Sequence, residues 1–207
     1  MENWKLKFKQ ALTQKLPGVQ AHLQMAPYAA RLEVPIPFNA HPAAVLVLLY
    51  ENSDNLFFPL ITRINNKTND VHRGQISLPG GRKDIVDKSI QDTAIRECAE
   101  EIGIDPHEIE ILGAMSSLYI PVSNHHVFPF VAWYPKIPDY KLQKEEVEAL
   151  HEIPLHLISD SGIKSIKTIQ TSQGLELRVP AMVWESLTIW GATGMILEEL
   201  AEIYRRL

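Results

Sequence analysis

The sequence predicts a single α/β domain, and three observations carry that expectation. Residues 43–50 (AAVLVLLY) are an almost unbroken apolar run, the mark of a central strand covered on both faces. Beyond Ser89, the residues Ile90, Ala94, Ile95, Cys98 and Ile102 recur at helical spacing and give one apolar face. The chain has 207 residues, 45% of them hydrophobic and 22% charged, which suits one well-packed domain.

Taken in order, residues 3–15 predict a short amphipathic helix with Trp4, Leu6, Phe8 and Leu12 inward. Residues 16–42, rich in Pro and Ala, read as an irregular wrap, so 1–42 form an N-terminal helix and wrap belonging to the same domain. After the strand at 43–50, Asn52-Ser53-Asp54-Asn55 predicts a turn and Leu56–Arg63 the returning strand of a hairpin. Polar residues 65–70 read as a loop, and Gln75–Leu78 as a short strand running into Gly80-Gly81. The helix from Ser89 carries Glu97, Glu100 and Glu101 on a second face, and Gly103 suits its C-terminal stop. Strands are expected around 109–118 and 126–134, a helical turn over 144–150, and a hairpin from 163–171 and 175–180 about Ser172-Gln173-Gly174. Residues 189–207 predict an amphipathic helix. Ile196, Leu197, Leu200 and Ile203 face inward, and Glu198, Glu199, Glu202, Arg205 and Arg206 outward.

Composition excludes several classes. A formal charge of −5 argues against a sequence-independent nucleic-acid binder, which needs a basic surface. No apolar run approaches the roughly 18–20 residues of a membrane span. The first residues lack the apolar core of a secretory signal and the arginines of a transit peptide, and the final Arg205-Arg206-Leu207 is not a Ser-Lys-Leu address. One cysteine, Cys98, forms no internal disulfide and fits a reducing compartment, so a cytoplasmic setting is expected.

The most informative stretch is Leu78-Pro79-Gly80-Gly81 followed by Arg96-Glu97-Cys98-Ala99-Glu100-Glu101-Ile102-Gly103-Ile104. At about 3.6 residues per turn, Glu97 and Glu101 project from nearly one face, with Glu100 beside them. Such like charges repel by roughly 0.2–0.5 kcal/mol per pair, so a cation should offset the arrangement. Hard divalent ions are held by one or two carboxylates together with substrate phosphates. Glu97 and Glu101 are the expected metal ligands, Glu100 supports them or binds a second ion, and carbonyls near Gly80 complete the shell. Arg96 is expected to orient the carboxylates by ion pairing.

These residues resemble the Nudix box: Gly, five residues, Glu, seven residues, Arg-Glu, an aliphatic, any residue, Glu-Glu, any residue, Gly, an aliphatic. Gly81, Arg96, Glu97, Glu100, Glu101, Gly103 and Ile104 match. Asp87 stands in place of the first Glu, eight residues rather than seven separate it from Arg96, and Cys98 fills the aliphatic slot. The same expansion with Asp resembles the coenzyme A pyrophosphatase branch. That branch also has an upstream Leu-Leu-Thr…Arg…Gly-Gln…Phe-Pro-Gly-Gly element, here Leu60-Ile61-Thr62-Arg63 and then His72-Arg73-Gly74-Gln75-Ile76-Ser77-Leu78-Pro79-Gly80-Gly81. The spacing from Arg63 to Gly74 is longer than in that branch, and Leu78 replaces Phe. Residues 188–194 (TIWGATG) also look like it, and the resemblance spans roughly residues 43–200.

The resemblance implies a Nudix α/β/α sandwich, with residues 43–207 as the Nudix hydrolase domain, and a Mg2+- or Mn2+-dependent diphosphatase. It implies cleavage of coenzyme A or acyl-coenzyme A to adenosine 3′,5′-bisphosphate and (acyl-)4′-phosphopantetheine. Catalysis would fall to Glu100, Arg96 and a base from outside the box; of Glu145, Glu146 and Glu148, Glu146 fits best. Substrate contacts would come from Arg63, Arg73, Gly74 and Gln75, the arginines gripping phosphates through bidentate contacts. A small-molecule substrate is expected, with neither nucleic acid nor membrane as partner and a homodimer left open. The alternatives are a Nudix diphosphatase for ADP-ribose or a dinucleotide, and a non-catalytic ligand-binding module of the same fold.

Other patterns fail. His151 and His156 are five apart with Pro154 between, so they do not make a zinc-binding helix face. His125 and His126 would point to opposite sides of a strand. Cys98 sits among apolar positions, which suits packing rather than nucleophilic attack.

Overall fold

The computed structural model describes residues 3–64, 72–170, 174 and 176–207. The first long strand, β1 (His41–Asn52), is buried on both faces. Strand periodicity of two sends Ala44, Leu46, Leu48 and Tyr50 to one side and Ala43, Val47 and Leu49 to the other. Each set nucleates its own core, so helices are needed on both sides of the sheet.

One core lies between β1 and α3 (Ile90–Ile102), where Ala94, Cys98 and Ile102 are fully buried against the even-numbered β1 residues. The opposite core holds α1 (Trp4–Leu12), α2 (Val19–Met25) and α4 (Gly191–Tyr204), with Phe8, Met25, Leu197 and Leu200 packed on Val47 and Leu49. The result is a helix–sheet–helix sandwich.

The sheet forks along β1. One edge of β1 pairs in parallel with β7 (His125–Trp133) from His41 to Leu49. The other edge is shared between two strands. Its start pairs with β4 (Gly80–Arg82) at Ala43–Val45, and its end with β2 (Asn55–Arg63) at Tyr50–Asn52. Strand β2 continues outward to β3 (Ile76–Ser77) and β8 (Val147–Pro154), while β5 (Glu110–Ala114) and β6 (Leu118–Ile120) flank β7. A separate antiparallel sheet runs through β9 (Lys164–Gln170), β10 (Glu176–Trp184) and β11 (Leu187–Trp190) before α4. No helix among the described residues is long and apolar enough to cross a membrane.

Several expectations need correction. Leu6 is exposed: it stands two residues from Trp4 and Phe8, on the opposite side of α1. The region 16–42 contains α2 and a 3-10 turn, Ala29–Leu32. Residues 147–154 form strand β8 instead of continuing a helical turn, because the exposed edge of β2 takes their backbone groups into a ladder. Glu198 and Glu199 are buried rather than outward. Lys164 of β9 lies 2.5 Å from Glu198, and the Gly18 N–H, Ser116 and His22 close over Glu199. The loop expected at 65–70 lies outside the described residues, as does the tip of the β9–β10 hairpin except Gly174.

Candidate active site

Helix α3 is fixed at both ends by its own sequence. Ser89 accepts from the Asp92 N–H at 3.1 Å while Asp92 accepts from the Ser89 N–H at 2.8 Å, a reciprocal capping box. Gly103 ends the helix at φ 70°, in the left-handed region, beside Lys141. With the apolar face of α3 held against β1, its acids are carried to the β4 side.

The glycines at β4 allow the close approach. Gly80 has φ 152°, and a Cβ there would collide with the Ala44 carbonyl and Val45. A Cβ on Gly81 would run into the Glu97 carboxylate. The Gly80 N–H donates to Glu101 Oε2 at 2.7 Å, and Arg63 Nη1 lies 3.7 Å from Glu101 Oε1. Glu101 is therefore sunk beneath the loop, only 1% exposed, rather than standing on an open helix face.

Arg96 organises the neighbouring acids. Its Nε and Nη2 donate to the two Asp87 oxygens at 2.8 and 2.9 Å, and its Nη1 donates to Glu97 at 2.9 Å and Glu100 at 3.0 Å. Nη2 also meets the Arg82 carbonyl at 3.2 Å. The Arg96 guanidinium holds Asp87 well below the usual carboxylate range, with the Asp84 N–H and Thr93 hydroxyl assisting against burial. Asp87 occupies the irregular box position and serves as the counter-charge that aims Arg96.

Glu97, Glu100 and Glu146 line one cavity of about 670 Å³ with Arg63, Arg82 and Gln143. Glu146 reaches it because the turn at Gln143–Glu146 feeds directly into β8 on the β2 edge. Burial pushes Glu97 upward against the pull of Arg96, and Glu100 and Glu146 add to the rise. Burial likewise pushes Glu101 up to about 8, with Glu97 and Glu146 adding and the Gly80 N–H and Arg63 opposing. His125 also lines the cavity. Burial lowers it to about 4, and Arg82, His72, His41 and Arg63 act in the same direction. Acids and cations thus border one space.

Of the expected substrate contacts, Arg63 and Gln75 line this cavity. Arg73 and Gly74 border a second cleft of about 420 Å³, which Gln75 also touches. Gly80 lines the main cavity, while Glu101 lies behind it. Sequence reasoning missed Arg82, Gln143, His72 and His125. Arg82 had a signal in its place directly after Gly81, and His72 in its place just before Arg73-Gly74-Gln75, but Gln143 and His125 arrive through long-range pairing.

The acids fit a hard divalent cation. Glu97 is raised by burial, Glu100 and Glu146, and Glu101 by burial, Glu97 and Glu146, so a positive ion would relieve both, and oxygen donors suit Mg2+ or Mn2+. Among the described residues, no three acids, histidines or cysteines converge closely enough to enclose an ion alone. Substrate phosphate and water would have to complete such a shell.

Comparison with known proteins identifies the family and the fold. The NUDIX domain family matches residues 40–168. NudL of Yersinia pestis (strain Pestoides F), described as an uncharacterized Nudix hydrolase, is 38% identical over 133 residues, or 63% of this chain, and the match spans 65% of that relative's length. A Nudix hydrolase from M. smegmatis, RenU, is 14% identical, with 81% of this chain and 88% of that one covered at a TM-score of 0.55. A MutT/nudix family protein from Enterococcus faecalis is 18% identical, with 83% and 65% covered at a TM-score of 0.51. At such identities these two structures speak for the fold, an α/β sandwich of the Nudix kind.

Proposed function

The chain belongs to the Nudix hydrolase family, whose members act on phosphoric anhydrides, and from that premise we propose a divalent-metal-dependent diphosphatase acting on coenzyme A or acyl-coenzyme A. The products are adenosine 3′,5′-bisphosphate and (acyl-)4′-phosphopantetheine. The observation that carries this reading is the pairing of an acid wall (Glu97, Glu100, Glu146) with cationic Arg63 and Arg82 around one cavity. The cavity continues past Leu78, Val127 and Met195, an apolar length suited to a pantetheine or acyl arm. The upstream Arg63…Gln75 element of the sequence supports the same substrate.

In this proposal Glu97, Glu101, Glu100 and the Gly80 carbonyl would hold Mg2+ or Mn2+. The bound ion would supply charge neutralisation on the phosphoryl oxygens and a more acidic attacking water. Arg96 positions Glu97 and Glu100, and Asp87 fixes Arg96. Glu146 accepts the proton of the attacking water from its place on the cavity wall. Arg63 and Gln75 hold the diphosphate, with Arg73 and Gly74 in the adjoining cleft contacting more distant parts of the substrate. A small-molecule substrate in a cytoplasmic setting, without nucleic acid or membrane, completes the reading; a homodimer is compatible with it.

The test is product analysis by mass. The protein is incubated with Mg2+ or Mn2+ and, side by side, coenzyme A, acetyl-coenzyme A, ADP-ribose and NADH. Adenosine 3′,5′-bisphosphate from the coenzyme A samples, lost in Glu101→Gln, is the expected result. AMP from ADP-ribose or NADH with coenzyme A intact would overturn the substrate assignment.

A further inference from the structure

Arg31 is the most unusual charged group outside the acid cluster. It sits on the 3-10 turn Ala29–Leu32, is 8% exposed, and lines the same cavity as Glu97 and Glu146. No carboxylate lies within ion-pair distance of its guanidinium, and no hydrogen bond from its side chain is formed among the described residues. Its electrostatic neighbours are the phenols Tyr28 and Tyr119, and the Tyr119 hydroxyl is already committed to Asn124 at 2.8 Å. Apolar Pro27, Ile120, Val122 and Val127 line the same cavity.

Burying a charge without a partner costs several kcal/mol, so such groups are normally paired. The other buried charges among the described residues follow that rule: Asp87 has Arg96, Glu101 has the Gly80 N–H and Arg63, Glu198 has Lys164, and Glu199 has His22 and Ser116. Arg31 alone among these faces open cavity space. A guanidinium fork in such a place matches the oxygens of a phosphomonoester or a carboxylate.

We propose that Arg31 is a specificity-determining residue that binds an anionic group the substrate carries apart from its scissile diphosphate. The inference rests on the diphosphatase reading for the position of the reacting bond, but the anion site itself does not depend on turnover. The anion could be a phosphomonoester on the nucleoside or a carboxylate on the acyl arm, and paired substrates separate the two. Coenzyme A and dephospho-coenzyme A differ by the phosphomonoester; malonyl- and acetyl-coenzyme A differ by the carboxylate.

The experiment measures kcat/KM for all four compounds with wild type, Arg31→Gln and Arg31→Lys. Calorimetric affinity for the same compounds, with EDTA present, gives a readout that needs no cleavage. The expected result is a preference of roughly tenfold or more within one pair, falling toward one in Arg31→Gln and partly kept in Arg31→Lys. The pair that responds identifies the anion. Ratios unchanged by the substitution, equal losses on all four compounds, or no discrimination in either readout would overturn the inference. Arg31-dependent binding without cleavage would sink the diphosphatase reading and leave the anion site standing. Cleavage with Arg31-independent ratios would do the reverse. Thermal unfolding of Arg31→Met supplies the check on folding. An unchanged or raised midpoint is expected for an unpartnered charge, and a fall of several degrees would mean that the guanidinium is held by the protein and would overturn the proposal.

Discussion

Asp87 spends both carboxylate oxygens on Arg96, and its side chain is only 3% exposed against 24% for its partner. Asp87→Ala removes the bidentate partner of Arg96 and leaves its Nε unpaired, with Glu97, Glu100 and the Arg82 carbonyl as the remaining contacts. Denaturant unfolding should show a loss of roughly 2–3 kcal/mol, a figure discounted for the water that reaches Arg96. Because the native state depresses the Asp87 pKa, its contribution is present above the unfolded value of about 3.9 and is lost as pH falls below it. Wild type should therefore lose stability below about pH 4 more steeply than Asp87→Ala. Glu101 behaves in the opposite sense. Its native pKa is raised to about 8, so in metal-free protein its contribution is full at acid pH and is lost as pH rises toward 8. Glu101→Gln, metal-free, should unfold at a higher temperature than wild type at pH 8 and match it more closely at pH 5; equal midpoints at both would contradict the assigned burial. The Arg96–Glu97–Glu100–Glu101 cluster was legible in sequence because its members lie within two turns of one helix. Arg31 was not, since nothing in residues 16–42 marks an arginine that a cavity will bury.

At the scale of elements, α3 is the part whose local signals all agree. Ser89 and Asp92 start it, Ala94, Cys98 and Ile102 bury it, and Gly103 stops it. Ser89→Ala removes one half of the capping box and should cost about 1 kcal/mol in urea unfolding, with little change in the geometry of the acids. Gly80→Ala is a different case, because its Cβ would strike the backbone of β1. That variant should lose the β1–β4 pairing, visible as fast amide exchange at Leu46, whose N–H donates to the Pro79 carbonyl at 2.9 Å, and activity with it. The elements that sequence misjudged share one cause. Residues 147–154 become a strand because β2 offers an open edge, and α4 buries Glu198 and Glu199 because β9 and α2 bring partners to them. Periodicity shows which face a segment could bury, but not what will arrive to cover the other face.

For the whole molecule, the forked sheet is what makes a site. β1 serves two cores at once, and the division of its free edge between β4 and β2 puts the glycine loop, α3 and the turn before β8 around one cavity. The run at 43–50 made the doubly covered strand legible, whereas the fork depends on β4 returning to Ala43–Val45 from 35–39 residues away and on β8 joining β2 from 84–97 residues away. The central proposal is that this acid wall performs the cleavage. Its most direct measurement is steady-state coenzyme A hydrolysis with saturating Mg2+ by wild type and Glu97→Gln, with binding of coenzyme A followed in parallel. The expected result is a fall in kcat of roughly 10²–10⁴-fold with coenzyme A still bound. Turnover by Glu97→Gln equal to wild type would contradict it.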